Sequence, residues 1–315
     1  MIQALAITGP TASGKTALAI EVAKKLGCEI ISLDSMQIYR KMDIGTAKAT
    51  PNEQAAVPHH LIDIVDANES FSAEQYKAAA LTVAREICER GKIPLFVGGT
   101  GLYLSTLLRP ECEKAPGSDR EYRERIEATV KTEEDRIALW ERLRAVDPES
   151  ADAIHYNNLR RVIRALEIYD ATGKTKTYFD ALTKLPSEEI AIKHVTIDYH
   201  RRETLYERID ARVDIMRDEG LYGEVKGLLD CGALHPESTA AQAIGYKELV
   251  RAVLDGADPS AAFLDIKQAS RNYAKRQITW FKHNADATVL FADTDDGKQI
   301  PKSELCKRVI EIFTK

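Results

Sequence analysis

Short apolar runs alternate with amphipathic stretches along the first third of the chain. Residues 4–8 (ALAIT), 29–33 (EIISL) and 93–97 (IPLFV) have the composition of buried strands. Between them, 15–26 and 72–90 carry apolar residues at helical spacing, and a serine at the start of the second stretch is a favourable helix cap. The order strand, helix, strand, helix, strand predicts an α/β fold with a parallel sheet and right-handed crossovers.

The pattern changes after the third predicted strand. Residues 117–182 are rich in charge and helical in spacing, with no convincing strand, whereas strand-like alternation returns at 192–199 and again at 287–291. The stretch 203–283 is helical in spacing. We therefore predict one α/β domain interrupted by an all-helical insertion, with boundaries at 1–116 and 190–315 for the α/β domain and 117–189 for the insertion.

Composition narrows the class of protein. The chain has 315 residues, 44% of them hydrophobic and 30% charged, which is typical of a soluble globular protein of about two domains. The net charge of −5 excludes a uniformly basic nucleic-acid-coating protein but leaves room for a local basic patch. No apolar run approaches the roughly 20 residues that cross a bilayer, and the N-terminus is not a signal peptide, so we expect a cytoplasmic protein without a membrane partner.

Cysteine spacing indicates neither zinc nor disulfides. The five cysteines are far apart, with no C-x-x-C pair, which favours buried free thiols in a reducing compartment. They are Cys28, Cys88, Cys112, Cys231 and Cys306.

The turn between the first strand and the first helix carries the strongest motif. Its sequence GPTASGKT matches G-x-x-x-x-G-K-[ST] in the strand–turn–helix context in which that pattern binds phosphates. Glycines let backbone N–H groups face a polyphosphate, Lys15 neutralises its oxygens, and the Thr16 hydroxyl can hold Mg²⁺. The predicted diphosphate or triphosphate site comprises Gly9, Pro10, Thr11, Ala12, Ser13, Gly14, Lys15 and Thr16.

Two further features follow predicted strands. Asp34 ends the second strand, where it could bind Mg²⁺, accept a proton from a nucleophile, or merely cap the next segment. The third strand runs into Gly98-Gly99-Thr100-Gly101, which either admits a flat ligand close to the backbone or forms a plain tight turn. No acidic residue of the kind that supports hydrolysis follows the third strand.

Basic residues outside the phosphate loop leave two interpretations open. Arg208 and Arg212 are one helical turn apart and can clamp a diphosphate or pair with Glu207, Asp210 and Asp214 on a solvated face. Two basic groups, one of them interleaved with aromatic residues, suit RNA phosphates and splayed bases but also occur on ordinary solvated helices. They are Arg160, Arg161, Arg164, Lys174 and Lys176 in the insertion, and Arg271, Lys275, Arg276 and Lys282 beside Tyr273, Trp280 and Phe281. His59 and His60 lack companions at metal-ligand spacing, which favours a structural role.

Seven segments of the chain, from the phosphate loop to the last basic helix, resemble those of bacterial tRNA dimethylallyltransferases, also called isopentenyl-tRNA transferases. The resemblance covers essentially the whole chain, and DSMQIYRKMDIGTAK and KRQITWF are its most specific segments. It implies a P-loop NTPase-like fold and transfer of a five-carbon prenyl group from dimethylallyl diphosphate to N6 of the adenosine 3′ of the anticodon. The other segments are GPTASGKT, HHLID, VGGTGLY, RRVIRALE and QAIGYKE.

The resemblance also implies roles for individual residues. Asp34 corresponds to the general base, Thr100 to the inner end of the channel where base and donor meet, and Lys15, Thr16 and one of Arg208 and Arg212, preferably Arg212, to diphosphate contacts. A larger set of residues corresponds to contacts with the anticodon stem-loop of tRNA. They are Asp34, Ser35, Met36, Gln37, Thr100, Arg123, Asn158, Leu159, Arg160, Arg161, Val162, Gln242, Ala243, Ile244, Gly245, Tyr246, Lys247, Lys275, Arg276, Gln277, Trp280 and Lys282.

Two other functions compete with prenyl transfer at this point. One is a small-molecule kinase that uses ATP, with Asp34 as base toward a hydroxyl. The other is a non-catalytic RNA-binding switch driven by a nucleoside triphosphate. The expected cofactor is Mg²⁺, the expected substrates are tRNA and dimethylallyl diphosphate, and a monomer is predicted.

Overall fold

The computed structural model describes residues 1–110, 115–117, 119–182, 187–284 and 286–315. Six strands form one sheet in the order β3-β2-β4-β1-β5-β6, and every neighbouring pair is parallel. The carboxyl ends of all six strands therefore lie along the same edge, as predicted for an α/β fold. The strands are β1 (Ile2–Thr8), β2 (Cys28–Leu33), β3 (His59–His60), β4 (Ile93–Gly98), β5 (Ile190–Asp198) and β6 (Thr288–Phe291).

Fourteen helices are assigned within the described residues. Those of the α/β part are α1 (Lys15–Leu26), α2 (Pro51–Ala56), α3 (Ala73–Glu89), α4 (Gly101–Leu107), α10 (Arg202–Asp218), α11 (Leu221–Asp230), α12 (Tyr246–Asp255), α13 (Pro259–Asn284) and α14 (Lys302–Thr314). Those of the insertion are α5 (Arg120–Thr129), α6 (Glu133–Val146), α7 (Pro148–Ala153), α8 (Leu159–Thr172) and α9 (Lys176–Leu182). None of the helices in the described ranges is long and apolar enough to span a bilayer.

The core of the α/β unit has a layer on each face of the sheet. Alternate strand residues such as Ile7 and Ile30 pack against α1 and α14, and their neighbours Ala6 and Ile31 pack against α3 and α4. A third cluster joins α10, α11, α12 and α13 to the segment after β2. Both faces are covered because a parallel sheet has helices on both sides. The residues at the strand ends are thereby held rigidly.

The predicted elements are confirmed with small shifts in their ends. The capping serine, Ser72, accepts a hydrogen bond from the backbone N–H of Gln75 and completes a capping box. Pattern reasoning missed β3, α2, α4 and α14. A two-residue strand is too short to show periodicity, and α2 has no buried residue.

The chain divides into two compact units, Met1–Leu108 with Ile190–Lys315 and Arg109–Glu189. The second unit contains the predicted insertion and begins at Arg109 instead of at 117. Its described part holds helices α5 to α9 and no strand. The helices pack around Leu143, Val162 and Leu166. The buried carboxylate of Glu167 accepts hydrogen bonds from Arg123, Arg164 and the backbone N–H of Asp119.

The cysteines are free but not all buried. Among the described residues, Cys28 and Cys306 are buried as predicted, whereas Cys88 and Cys231 are exposed, so the prediction of buried thiols is wrong for these two. Both lie at the ends of amphipathic helices, where a cysteine on the solvent side disturbs no packing. Cys112 lies outside the described residues.

Candidate active site

A cavity of about 330 Å³ opens at the carboxyl ends of the strands. It lies between the phosphate loop, the end of β2 with the segment that follows it, and the facing sides of α10 and α13. Its lining combines polar and apolar side chains from all of these elements, which suits a ligand with a charged head and an apolar tail. The lining residues are Thr11, Ala12, Lys15, Thr16, Ile30, Ser32, Asp34, Ser35, Met36, Gln37, Gly45, Thr46, Ala47, Ala49, His59, Val97, Gly98, Ile209, Arg212, Val213, Met216, Gln242, Ala243, Ile244, Ile266, Ser270, Tyr273, Arg276 and Gln277.

The loop between β1 and α1 has the backbone of a phosphate-binding turn. Gly9, Ala12 and Gly14 all have positive φ, at 149°, 60° and 84°. A Cβ at Gly9 would lie 2.6 Å from the carbonyl oxygen of Ile197, so this position requires glycine. Lys15 and Thr16 open α1 and both line the cavity, so the positive end of the helix is directed toward a bound anion. The loop therefore has the backbone conformation that its sequence predicts.

Lys15, Arg212 and the Asp34 carboxylate meet inside this cavity, and Arg276 adds a third cation to its lining. Burial, and the positive charge of Arg212, lower the pKa of Lys15 to about 8, while the Asp34 carboxylate opposes that shift. Burial likewise lowers the pKa of Arg212, again opposed by Asp34. Two partly desolvated cations face a single carboxylate, which leaves an excess of positive charge for a polyanion to neutralise.

Arg208 and Arg212 have different surroundings although they share one face of α10. The Nε of Arg208 donates to the carbonyl oxygen of Ala12 at 2.9 Å, whereas Arg212 lines the cavity. The alternative in which nearby carboxylates neutralise the pair does not hold for the two aspartates. Asp210 pairs with Arg271 of α13, and Asp214 pairs with Lys267 and Arg217. Arg212 is thereby left available to a ligand.

Asp34 combines a local structural bond with exposure to the cavity. One carboxylate oxygen, Oδ1, accepts from the backbone N–H of Met36 at 2.9 Å, which is the capping role weighed as an alternative. No described residue donates a hydrogen bond to Oδ2, and the side chain lines the cavity. The local bond aims the carboxylate, so the capping role and a chemical role are compatible.

Thr100 holds the segment that carries Asp34. Its hydroxyl accepts from the backbone N–H of Ser35 at 3.1 Å, and its own backbone N–H donates to the carbonyl oxygen of Leu33. Gly98 has no room for a side chain, since a Cβ there would lie 2.1 Å from that same carbonyl oxygen. The turn after β4 therefore packs tightly on the end of β2. It is more than a plain tight turn, because it sets the position of Asp34.

Tyr246 proves to be a core residue, which corrects its expected contact with RNA. It is fully buried, and its hydroxyl donates to Glu224. The same carboxylate accepts from the backbone N–H groups of Asp43 and Ile44 at 2.9 and 2.8 Å. A Cβ at Gly45 would lie 2.4 Å from the Tyr246 ring. The segment QAIGYK thus acts partly by holding the loop 43–47, which forms one wall of the cavity.

The other expected RNA contacts fall into accessible and inaccessible groups. Side chains with the exposure that RNA contact needs are those of Asn158, Arg160, Arg161, Gln242, Lys247, Lys275, Arg276 and Lys282. Val162 is fully buried in the core of the insertion, so its side chain is not an RNA contact. Arg123 is engaged by the buried Glu167 at 2.9 Å. Trp280 is half-buried and packs on Gly101, where a Cβ would lie 2.3 Å from the indole.

Sequence reasoning missed several lining residues. His59 lines the cavity, and its Nδ1 lies 2.8 Å from the carbonyl oxygen of Val57; His60 lies 2.8 Å from the Glu29 carboxylate. The structural role expected for these histidines is confirmed for His60. Met216 and Ile266 also line the cavity, each from an apolar helix position. An apolar residue at helical spacing gives no sign of whether it faces another helix or a ligand cavity.

Comparison with known proteins decides among the functions still open. A profile of the IPP transferase family matches residues 37–284. The chain is 46% identical over 296 residues to the tRNA dimethylallyltransferase of Bacillus cereus (strain AH187), covering 93% of this chain and 90% of that protein. The chain belongs to the IPP transferase family. The matched range includes Thr100, Arg212 and Gln277, and it begins after the phosphate loop and Asp34.

Solved structures of the family share this fold. The tRNA isopentenylpyrophosphate transferase of Staphylococcus epidermidis has 40% sequence identity and a TM-score of 0.70, covering 100% of this chain and 99% of that chain. A eukaryotic dimethylallyltransferase described as acting on tRNA has 30% identity and a TM-score of 0.76, covering 92% of this chain and 74% of that chain. The P-loop NTPase-like fold inferred from the sequence is therefore confirmed.

Proposed function

We propose that this protein transfers a dimethylallyl group from dimethylallyl diphosphate to N6 of the adenosine 3′-adjacent to the anticodon of tRNA. The N6 amine forms a bond to C1 of the donor, the bond from C1 to the diphosphate oxygen breaks, and one amine proton leaves. The observation that carries this proposal is that Asp34, Lys15 and Arg212 line one cavity. In this proposal the reacting carbon lies between the base and the anion site, which share that cavity.

The phosphate loop and Arg212 hold the leaving group in this proposal. Negative charge grows on the diphosphate as the allylic carbon becomes positive, so cations already in place favour the transition state over the bound donor. Lys15 and Arg212 occupy that place, and the N-terminus of α1 adds its dipole. Arg208 supports them indirectly through its bond to the carbonyl oxygen of Ala12. No γ-phosphate is cleaved, which agrees with the absence of an acid after β4 in the sequence.

Asp34 takes the proton. Its Oδ1 is held by the N–H of Met36, and Thr100 holds the next peptide, so the carboxylate keeps its direction. The target adenine must leave its stack to reach a cavity at the strand ends, because its amine is otherwise enclosed by neighbouring bases. The apolar cavity residues Val213, Met216 and Ile266 then offer a surface for the prenyl tail.

The expected Mg²⁺ fits a site shared with the diphosphate. Among the described residues, no cluster of three or more His, Cys, Asp or Glu side chains could hold a metal alone. The Thr16 hydroxyl lines the cavity at the start of α1 and supplies one oxygen ligand, and Mg²⁺ commonly takes the rest from phosphates and water. When bound there, Mg²⁺ supplies further charge to stabilise the departing diphosphate.

The tRNA is proposed to contact α13 of the α/β unit. The helical insertion of the protein offers a second basic surface on α8. Lys275, Arg276 and Lys282 are exposed on α13, and Arg160 and Arg161 are exposed on α8. Their charges supply a local attraction that the net charge of −5 does not. The monomeric state stays a prediction.

Mass spectrometry of tRNA tests the reaction. Unmodified tRNA is incubated with the purified protein, Mg²⁺ and dimethylallyl diphosphate, and a parallel sample contains ATP in place of the donor. We expect one five-carbon unit on a single adenosine only with the prenyl donor. Consumption of ATP with small alcohols or nucleosides, and unmodified tRNA, would instead support a kinase.

Asp34→Asn tests the base. The amide still accepts from the Met36 N–H but cannot take a proton, so we expect turnover to fall about 10²- to 10⁴-fold. The affinity for tRNA should stay within a few-fold of the wild-type value. Asp230→Asn, on an exposed carboxylate that pairs with Lys226, is the matched control. A parallel loss of tRNA affinity and rate would contradict the assignment.

A further inference from the structure

Gln277 of α13 contacts two catalytic segments at once. Its Oε1 accepts from the backbone N–H of Thr11 in the phosphate loop at 2.8 Å, and its Nε2 donates to the carbonyl oxygen of Gly99 at 3.0 Å. One partner only donates and the other only accepts, so the orientation of the amide follows from the hydrogen bonds themselves. The side chain is buried, at 6% exposure.

The turn at Gly99 lies close to both the Gln277 amide and the phosphate loop. A Cβ at Gly99 would lie 2.1 Å from Nε2 of Gln277 and 3.2 Å from the carbonyl oxygen of Gly9. Any residue larger than glycine would push the amide out. The glycine at position 99 therefore leaves room for the Gln277 side chain between the turn and the phosphate loop.

The two segments carry the two halves of the proposed reaction. The phosphate loop leads into Lys15 and Thr16, which face the donor, and the turn leads into Thr100, which holds the Asp34–Ser35 peptide. We propose that Gln277 is a positioning residue that sets the distance between the donor's diphosphate site and the Asp34 carboxylate. This inference rests on the proposed function. It replaces the expected RNA contact of Gln277, whose amide is already bonded at both ends.

The reason for such a link is geometric. Transfer needs the amine nitrogen, the donor carbon and the base aligned, and a misplacement of about 1 Å can cost on the order of 10²-fold in rate. The phosphate loop extends from β1 and Asp34 extends from β2, and these two strands are not neighbours, because β4 lies between them. Gln277 bonds from α13 to the loop after β1 and to the turn after β4, and Thr100 in that turn bonds to the segment after β2. The helix that bears Lys275, Arg276 and Lys282 is thus also the helix that sets the catalytic spacing.

Gln277→Met removes both hydrogen bonds and keeps the length of the side chain. We expect kcat for prenyl transfer, at saturating dimethylallyl diphosphate and tRNA, to fall about 10- to 100-fold. The Kd for tRNA should stay within threefold. Gln268→Met on the same helix, at an exposed glutamine that bonds to Asn272, is the matched control and should keep the wild-type kcat.

Gln277→Glu tests the positioning role through the pH dependence of kcat, which a merely structural role of Gln277 would leave unchanged. When its carboxyl is protonated, it can accept from Thr11 and donate to Gly99 as the amide does; when ionised, it faces the Gly99 carbonyl with a charge. The ratio of its kcat to the wild-type kcat should therefore rise as pH falls, because dividing by the wild type cancels the pH effects that the two proteins share. The ratio for Gln277→Met should stay flat.

Three results would overturn the inference: a kcat of Gln277→Met within threefold of wild type per folded molecule, a loss confined to tRNA affinity, or a flat ratio for Gln277→Glu. Folded protein is counted by circular dichroism and thermal unfolding of each variant. Failure of the proposed function has a different result. In that case wild-type protein transfers no prenyl group, or Asp34→Asn and Lys15→Met retain the wild-type rate.

Discussion

The Nε of Arg208 lies 2.9 Å from the carbonyl oxygen of Ala12, so this arginine binds the phosphate loop itself. Arg212, one turn further along α10, lines the cavity instead. The two residues were equivalent in the sequence, and their surroundings separate them into a loop support and a candidate ligand contact.

Replacing each arginine with methionine should therefore have different results. Arg212→Met removes a charge from the donor site, and we expect kcat/KM for dimethylallyl diphosphate to fall by about 10²- to 10³-fold. Arg208→Met should cost about tenfold or less in kcat/KM and should lower the melting temperature, because the Ala12 carbonyl loses its partner. Steady-state kinetics over a range of donor concentrations measures both. A larger kinetic loss for Arg208→Met would exchange the two roles.

Tyr246→Phe tests the correction made to the expected RNA contacts. The variant loses the hydrogen bond to Glu224 but keeps the ring against Gly45, so we expect a decrease of about 1 kcal/mol in the free energy of unfolding. The tRNA affinity should remain within twofold. Urea unfolding and a binding titration measure the two quantities. Weaker tRNA binding with unchanged stability would restore Tyr246 as an RNA contact.

The buried His194 makes stability depend on pH. It is 9% exposed, with Nε2 2.7 Å from the Thr8 hydroxyl, and burial lowers its pKa to about 4. The unfolded chain binds a proton near pH 6.5 while the folded chain does not, so stability falls as pH drops from about 6.5 toward 4. Between pH 7 and pH 5 this group should remove about 2 kcal/mol.

Urea unfolding of the wild type and of His194→Gln at pH 7 and pH 5 isolates that contribution. The glutamine can still bond to the Thr8 hydroxyl but does not titrate, so the pH-dependent loss should be smaller by about 2 kcal/mol. Equal losses in the two proteins would show that His194 is protonated, or exposed, in the folded state.

Lys282→Ala should weaken tRNA binding without slowing the chemistry. The side chain is exposed on α13, so it can neutralise a phosphate and release a counterion. We expect the slope of log K against log salt to become less steep by about 1, with kcat unchanged at saturating tRNA. Lys307→Ala, exposed on α14, is the charge-matched control. An unchanged slope for Lys282→Ala would remove this residue from the RNA surface.

The sequence by itself determined the sheet, the backbone of the phosphate loop and the position of Asp34 at the carboxyl edge of the sheet. These features depend on local physics: apolar runs mark buried strands, a glycine with positive φ marks the loop, and the carboxyl ends of parallel strands share one edge. Arg208 and Arg212, Tyr246 and Gln277 show what local pattern leaves open. Their spacing and residue types were compatible with two roles each.

Only the tertiary structure separated those roles. Asp210 and Asp214 pair with basic residues of α13, so neither neutralises Arg212, which lines the cavity. Glu224 accepts the hydrogen bond of the Tyr246 hydroxyl. Gln277 meets Thr11 and Gly99 across 266 and 178 positions of sequence. Such contacts depend on which elements pack together, and packing over these separations leaves no periodic signal in the chain. The partners of a polar side chain are therefore decided by the fold, whereas its capacity to donate, accept or carry charge is already present in its residue type.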